Sequence, residues 1–380
     1  MSFFSKNNGF VGVDIGAFGI KLVQLKKQKG RPQLWTYGIA DGPIDIHIPD
    51  VHDKTPDELL REHTVVGGMQ KKQSQDMREL YGESDPRVDQ YADILKTLLK
   101  KARVTTNLAT ASLPVSHIFH TIVTLPKVEK ESDINIYINA ELKKVLSRSI
   151  EDMQVVHQII PSKKEDKYMH VLVTAAPKTL VAFYSGIFEK AGLELKELET
   201  EAFAIERSLV GKNTATMMVV DVGAERTNFF IIDEGLPMTH RSIQVGGQRI
   251  NEILMHEMGI STELVDHIKA DITELDWKKR NMDMFAPFLD PIVKEIQYSF
   301  DLFFGQTGNK GKKPEKIVIT GGSAVFPPLQ LRLEKEFDMR VFVGDPWARI
   351  VYQQELKPLL SNLGPRMAVS IGLALRNIVE

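Results

Sequence analysis

The sequence predicts an α/β protein built as two lobes of similar plan. Three observations predict it. A strand–turn–strand stretch occurs twice, the 380 residues are long enough for two cores, and short apolar strands alternate with amphipathic helices after each copy. The first copy is Phe10 to Leu25, FVGVDIGAFGIKLVQL, an apolar run reaching Asp14, a turn holding Gly16 and Gly19, and a strand resuming at Ile20. The second is Met217 to Ile232, MMVVDVGAERTNFFII, with Asp221 and Gly223 in the matching places.

Such a hairpin suits a phosphate that carries a metal ion. Glycine permits positive φ and close approach of the backbone, so successive turn N–H groups converge on phosphate oxygens. The strand-end carboxylates of Asp14 and Asp221 would then face the metal. Magnesium keeps several waters and needs one or two protein carboxylates, so two loops with one acid each suffice, the contact running through water. Thr227 and Asn228 add polar side chains to the second loop. Taken singly, each hairpin reads as an ordinary turn using Asp and Gly for conformational reasons; their repetition and company favour the phosphate.

Composition narrows the field. Lys+Arg total 48 against 50 Asp+Glu, so the bulk charge favours neither nucleic acid nor an anionic membrane. With no cysteine, disulfides, thiolate metal sites and cysteine catalysis are excluded, which fits a reducing cytosol. No apolar run reaches the roughly 20 residues that span a bilayer. The opening MSFFSKNN is not expected to be a signal peptide. The ten histidines fall in no H-E-x-x-H spacing, and no G-x-S-x-G elbow occurs. His117 and His120 are expected in a strand and its turn.

The elements follow in order. Gln33 to Ile39 is a third strand, and the polar, Pro- and Gly-punctuated stretch from Asp41 to Asp85 a long surface excursion. Val88, Tyr91, Ile94, Leu95, Leu98 and Leu99 share one helical face. Strands are expected at Ala109 to Leu113, Ile118 to Leu125, Met153 to Ile160 and Met169 to Ala176, with a helix at Glu131 to Ser149. A helix from Pro177 ends at Ala191-Gly192, where glycine takes the left-handed cap. A strand at Leu193 to Leu198 and a helix at Ala202 to Leu209 complete the half. The second half restarts with strands at Met217, Thr227 and Met238 to Ile243. Helices follow after Gly246-Gly247, at Thr262 to Leu275 and at Met284 to Phe304. Lys316 to Thr320 is a short apolar strand running into Gly321-Gly322. A helix begins near Val325, a last strand is Val341 to Val343, and a last, buried helix Ala368 to Val379.

The succession DIGAFGIK, DVGAERTN, VGGQRIN, VDHIK and VITGGSAV resembles the actin-like ATPase superfamily of sugar kinases, heat-shock chaperone ATPases, actin and FtsA. Within it the chain looks most like the PilM family of type IV pilus assembly, through GVDIG near the start, LPVSHIFHTIVTLP, and AGLELKELETEAFAIERSL. The resemblance implies a two-lobed actin-like (ribonuclease H-like duplicated) fold. The first lobe would span 1–210, with a small FtsA/PilM-type subdomain inserted at about 114–175. The second would span 211–380, with a helical subdomain at about 250–315 and a C-terminal helix packing back at the lobe interface.

It further implies ATP with Mg2+ between the lobes. Asp14, Gly16, Ala17, Phe18, Gly19 and Lys21 match the first phosphate loop, and Asp221, Gly223, Thr227 and Asn228 the second. Gly246, Gly247 and Asn251 match a nucleotide-facing helix start. Asp266 and Lys269 match an acid–lysine pair near the ribose and base, though taken alone they read as an exposed helical ion pair. Gly321, Gly322 and Ser323 match the adenosine loop. Glu201 and Glu199 are the candidates for orienting an attacking water, or else helix N-terminal acids that complement the dipole. The first loop lacks the family's hydroxyls, so backbone N–H groups and Asp14 would serve there. The implied partner is the cytoplasmic N-terminal segment of a PilN-like inner-membrane protein, held in a groove beside the inserted block. The implied location is cytoplasmic, peripheral to the inner membrane. Rival readings are a small-molecule kinase and an FtsA-like division filament protein. The apolar MAVSIGLALRNIVE end, which reads as core, argues against the latter.

Overall fold

A computed structural model describes residues 9–45, 85–128, 130–146, 148–160, 167–265, 268–269, 275, 277, 282–306, 309 and 311–379. The expected excursion 41–85 therefore lies mostly outside the described residues, as do Asp266 and half of the expected helix 262–275.

Two sheets share one plan. In the first, β1 (Phe10–Gly16), β2 (Gly19–Gln28) and β3 (Arg31–Ala40) form antiparallel pairs, and β4 (Leu108–Leu113) and β8 (Glu194–Thr200) add in parallel, giving the order β3-β2-β1-β4-β8. In the second, β9 (Met217–Val222), β10 (Thr227–Asp233) and β11 (Leu236–Ile243) repeat the antiparallel trio, with β12 (Lys316–Thr320) and β13 (Arg340–Val343) in parallel. Order and strand sense are the same in both. Each central strand is buried on both faces, which is why VGVDI and MMVV read as continuous apolar runs.

Between β4 and β8 the chain builds a third sheet, β5 (Phe119–Pro126), β6 (Met153–Ile160) and β7 (Tyr168–Pro177), antiparallel in the order β5-β7-β6. Helix α1 (Pro86–Lys101) starts where Asp85 accepts from the Arg87 N–H at 2.9 Å. Helix α2 (Glu131–Val145) lies against the third sheet, and α3 (Lys178–Lys190) against α1.

The expected helix Ala202 to Leu209 is instead one α turn, α4 (Glu201–Ile205), followed by a π-helical turn Glu206–Val210. The wider turn ends at Gly211 (φ +57°), where a Cβ would collide with the Arg349 guanidinium, which donates to the Arg207 and Val210 carbonyls. An arginine from far along the chain thus satisfies carbonyls the wider turn leaves open.

In the second half, α5 (Gly247–Met258), α6 (Ala286–Gly305) and α7 (Pro327–Phe337) surround the second sheet. The last helix, α8 (Lys357–Val379), begins eleven residues before the expected Ala368 and runs through Pro365. Proline there removes one backbone donor, and its carbonyl is turned to a partner outside the helix, accepting from the Gly321 N–H at 2.9 Å and Thr320 Oγ1 at 3.0 Å. From Met367 to Leu375 every residue of α8 is buried, packed on β1 and β2 and against α4.

His120 on β5 meets the second sheet. Its ring stacks on His240 of β11 with centroids 3.8 Å apart, and its Nε2 donates to the Pro237 carbonyl at 3.0 Å. A carbonyl only accepts, so the neutral ring carries its proton on Nε2 and Nδ1 accepts from Thr174 Oγ1 at 3.1 Å. Burial pushes His120 down to about 4, and burial with the neighbouring ring holds His240 well below the usual range. The unfolded chain takes up these protons below about 6.5 and the fold does not, so stability falls as pH drops from there towards 4. For His120 this amounts to roughly 2 kcal/mol between pH 7 and pH 5. Thermal melts of wild type and His120→Gln check it: the wild type should lose about 2 °C more over that interval.

Candidate functional site

Strand register sets the site. In the first hairpin Asp14 stands opposite Lys21 and Gly16 opposite Gly19, leaving Ala17 and Phe18 as the turn. Lys21 Nζ accordingly lies 3.2 Å from Asp14 Oδ2, and Ser112 Oγ on β4 lies 3.4 Å from Asp14 Oδ1. In the second hairpin Asp221 stands opposite Asn228, and the Gly223 N–H closes the turn on the Arg226 carbonyl at 2.9 Å. The parallel register of β12 sets Thr320 beside Asp221, so the chain leaves the sheet at Gly321 next to the acid. Gly321 has φ +90°, and a Cβ there would lie 2.6 Å from Asp221 Oδ1 and 2.4 Å from the Val222 carbonyl oxygen.

These loops face one cleft between the two sheets, with a volume of about 780 Å³. From the first hairpin it takes Asp14, Gly16, Ala17, Phe18 and Lys21, with Phe18 exposed; from the second, Asp221, Gly223 and Asn228. Gly247, Asn251 and Lys269 form another wall, tied together because Lys269 Nζ donates to the Gly247 carbonyl at 3.0 Å and to Asn251 Oδ1 at 3.1 Å. Gly321, Gly322 and Ser323 complete it.

Four expected residues do not line it. Thr227 is buried, its hydroxyl donating to the Val245 carbonyl at 2.6 Å, so it braces the loop from behind. Gly246 and Gly19 are packing positions: a Cβ would sit 2.5 Å from the Ala224 carbonyl oxygen at the first and 2.1 Å from the Ala40 carbonyl oxygen at the second. Glu199 is held by Arg207 at 2.8 Å and by Arg376 at 3.2 Å, an ion-pair cluster that fastens α8 to β8. A carboxylate so engaged by two guanidiniums is a strut, held away from the cleft by its partners.

Glu201 does reach the cleft. It accepts from Asn228 Nδ2 at 3.0 Å and from the Val115 N–H at 3.4 Å. Burial first, then Asp14 and Asp221, push its carboxyl well above the ordinary range; burial and Asp14 push Asp221 up to about 6. The charge of Asp14 is thus felt at both Glu201 and Asp221, while among the described residues no three acids or histidines are grouped to hold an ion by themselves. Such a site fits a cation that brings its own waters and phosphate oxygens. A Cβ at Gly247 would lie 2.1 Å from Ser323 Oγ, so glycine there lets the start of α5 and the loop 321–323 close on one another as one wall of the cleft.

Several cleft residues were not legible as such in the sequence, among them two arginines. Arg226 sits inside the second loop with its Nε buried and without a hydrogen-bond partner, and Arg366 enters from α8. The first had a signal, a cation within DVGAERTN; the second had none before the fold placed α8.

A family model described as type IV pilus assembly protein PilM matches residues 82–378. The chain belongs to this family. A solved structure of the PilM-PilN type IV pilus biogenesis complex superposes with a TM-score of 0.75 at 20% identity, covering 98% of this chain and 99% of that one. The ethanolamine utilization protein EutJ from Carboxydothermus hydrogenoformans superposes at 0.52 with 15% identity, covering 96% of this chain and 88% of that one. The fold is the two-lobed actin-like one, and the protein is an actin-like member of the type IV pilus assembly proteins.

Proposed function

We propose that this PilM-family protein is a nucleotide-binding scaffold that holds Mg-ATP between its lobes and docks the cytoplasmic N-terminal segment of a PilN-like membrane protein. The observation carrying the nucleotide reading is the convergence of Asp14 and Asp221, each opposite a polar partner at a glycine turn, on one cleft. Asp14 and Asp221 would hold the hydrated magnesium, which neutralises the phosphate chain. Turn N–H groups and Asn228 would bind phosphate oxygens, Lys269 and Asn251 the ribose side, and Gly321-Gly322 the adenine. Glu201 is the acid positioned to orient a water, in a reaction that the scaffold role does not require.

The docking reading is supported by the family and by the surface of the inserted sheet. No helix among the described residues is long and apolar enough to cross a membrane, so membrane attachment falls to a partner or a surface contact. The inserted block carries exposed apolar side chains, Ile136 and Tyr137 on α2 and Val156 and Ile159 on β6. Exposed apolar groups at a sheet edge suit an extended peptide. A labelled peptide copying the cytoplasmic N-terminal segment of the PilN-like protein should bind, and Val156→Asp should weaken it about tenfold by fluorescence anisotropy. A chain that binds no such tail yet phosphorylates a small acceptor would favour a kinase instead.

A further inference from the structure

Arg366 is the sole charged residue of α8 between Lys357 and Arg376, and it opens the buried run from Met367 to Leu375. Its backbone is fixed, because the preceding carbonyl of Pro365 accepts both the Gly321 N–H and Thr320 Oγ1. Its stem lies along the adenosine-loop side: a Cβ at Gly322 would sit 3.7 Å from Arg366 Cγ. Its guanidinium extends to the opposite wall, where Nη2 donates to Asp41 Oδ1. Asp41 follows β3 in the first lobe, and two residues past Gly42 the Ile44 N–H donates to the Ala17 carbonyl at 2.9 Å, so this segment is laced to the first phosphate loop. Arg366, Asp41 and both glycine loops line the same cleft.

Resting on the nucleotide reading above, we propose that Arg366 and Asp41 form a latch across the mouth of the cleft that competes with the phosphate chain for the Arg366 guanidinium. The pair is partly exposed, with side-chain accessibilities of 30% and 52%, so water screens it and it holds weakly. A polyphosphate carries more negative charge than one carboxylate and accepts two parallel N–H bonds from a guanidinium. Arg366 therefore exchanges Asp41 for phosphate oxygens when nucleotide enters, and the Asp41 segment is released from α8. The first phosphate loop, which has Ala17 and Phe18 where hydroxyls would donate, gains a cation from outside its own sequence. Lys21 and Lys269 are already engaged, with Asp14 and with Gly247 and Asn251.

The test is a titration of wild type, Arg366→Ala, Asp41→Asn and the double variant with Mg-ATP and with adenosine, alongside hydrogen exchange of the Ile44 amide. Arg366→Ala should weaken Mg-ATP about tenfold and leave adenosine within twofold. Asp41→Asn should tighten Mg-ATP about threefold in the wild-type background and change nothing in the Arg366→Ala background. Exchange at Ile44 should speed on adding Mg-ATP in wild type and be fast from the outset in Asp41→Asn. Equal losses for Mg-ATP and adenosine in Arg366→Ala would make the residue structural and overturn the latch, as would additive effects in the double variant. Wild type that binds Mg-ATP with Arg366→Ala unchanged overturns the latch alone; wild type that binds neither ligand overturns the nucleotide reading and the latch with it.

Discussion

Asp221→Asn should lower Mg-ATP affinity about 100-fold, about 2.8 kcal/mol, while raising the melting temperature of the unliganded protein. The two effects have one cause. Loss of solvation first, and then the charge of Asp14, push Asp221 up to about 6, so its charge is unfavourable until a cation arrives. Asparagine keeps the shape and can still face Asn228, which stands opposite in the ladder, but it offers no charge to the hydrated metal. Functional sites commonly hold such unfavourable groupings, and removing them stabilises the fold as it removes function. Calorimetric titration and a thermal melt on the same sample read both. Asp14→Ala should lose comparable affinity without the gain in stability, because Asp14 is already paired with Lys21 at 3.2 Å. Unchanged affinity in both variants would remove the nucleotide assignment.

Gly372→Ala should cost at least about 3 kcal/mol, a drop of about 4 °C or more in melting temperature. A Cβ there would lie 1.8 Å from the Ala204 carbonyl oxygen and 2.4 Å from its carbonyl carbon, backbone atoms of α4 with nowhere to go. On the other side of α8, a Cβ at Gly12 of β1 would lie 2.2 Å from the Ser370 carbonyl oxygen. Two glycines thus let one helix lie against a strand and a second helix at backbone distance. Gly305→Ala, where nothing lies within 4 Å, serves as the control and should be neutral or slightly stabilising. Because α8 carries Pro365 and Arg366 to the cleft, a milder insult such as Ala204→Ser should also shift nucleotide affinity.

Much of the architecture was legible because its signals are local. The duplicated Asp-Gly hairpins, the apolar runs of β1, β4, β9 and β12, and the helix-period face of α1 follow from side-chain spacing, and the sheets assemble them in matching order. The two aspartates at the hairpin turns were legible from the residues themselves, whereas most glycines of the loops and the pair Glu199 and Glu201 were named only through the resemblance of their motifs. Where the outcome depended on a distant neighbour, spacing was silent. Glu199 was as good a candidate as Glu201 until Arg207 and Arg376 closed on it. Thr227 carries a hydroxyl suited to phosphate, yet the Val245 carbonyl was nearer.

The sequence by itself determined the repeat, the acids at the hairpin turns and the absence of cysteine chemistry, since these are read from local patterns, from comparing one such pattern with another, or from composition, and none of them needs a contact in space. Only the tertiary structure decided that α8 starts at Lys357 and passes through Pro365, that His120 stacks on His240, and that Arg366 reaches Asp41. Those pairs join residues 120 to 325 positions apart. Contacts at such separation are set by how whole elements pack and by which buried polar groups then need partners, and no window along the chain contains both members.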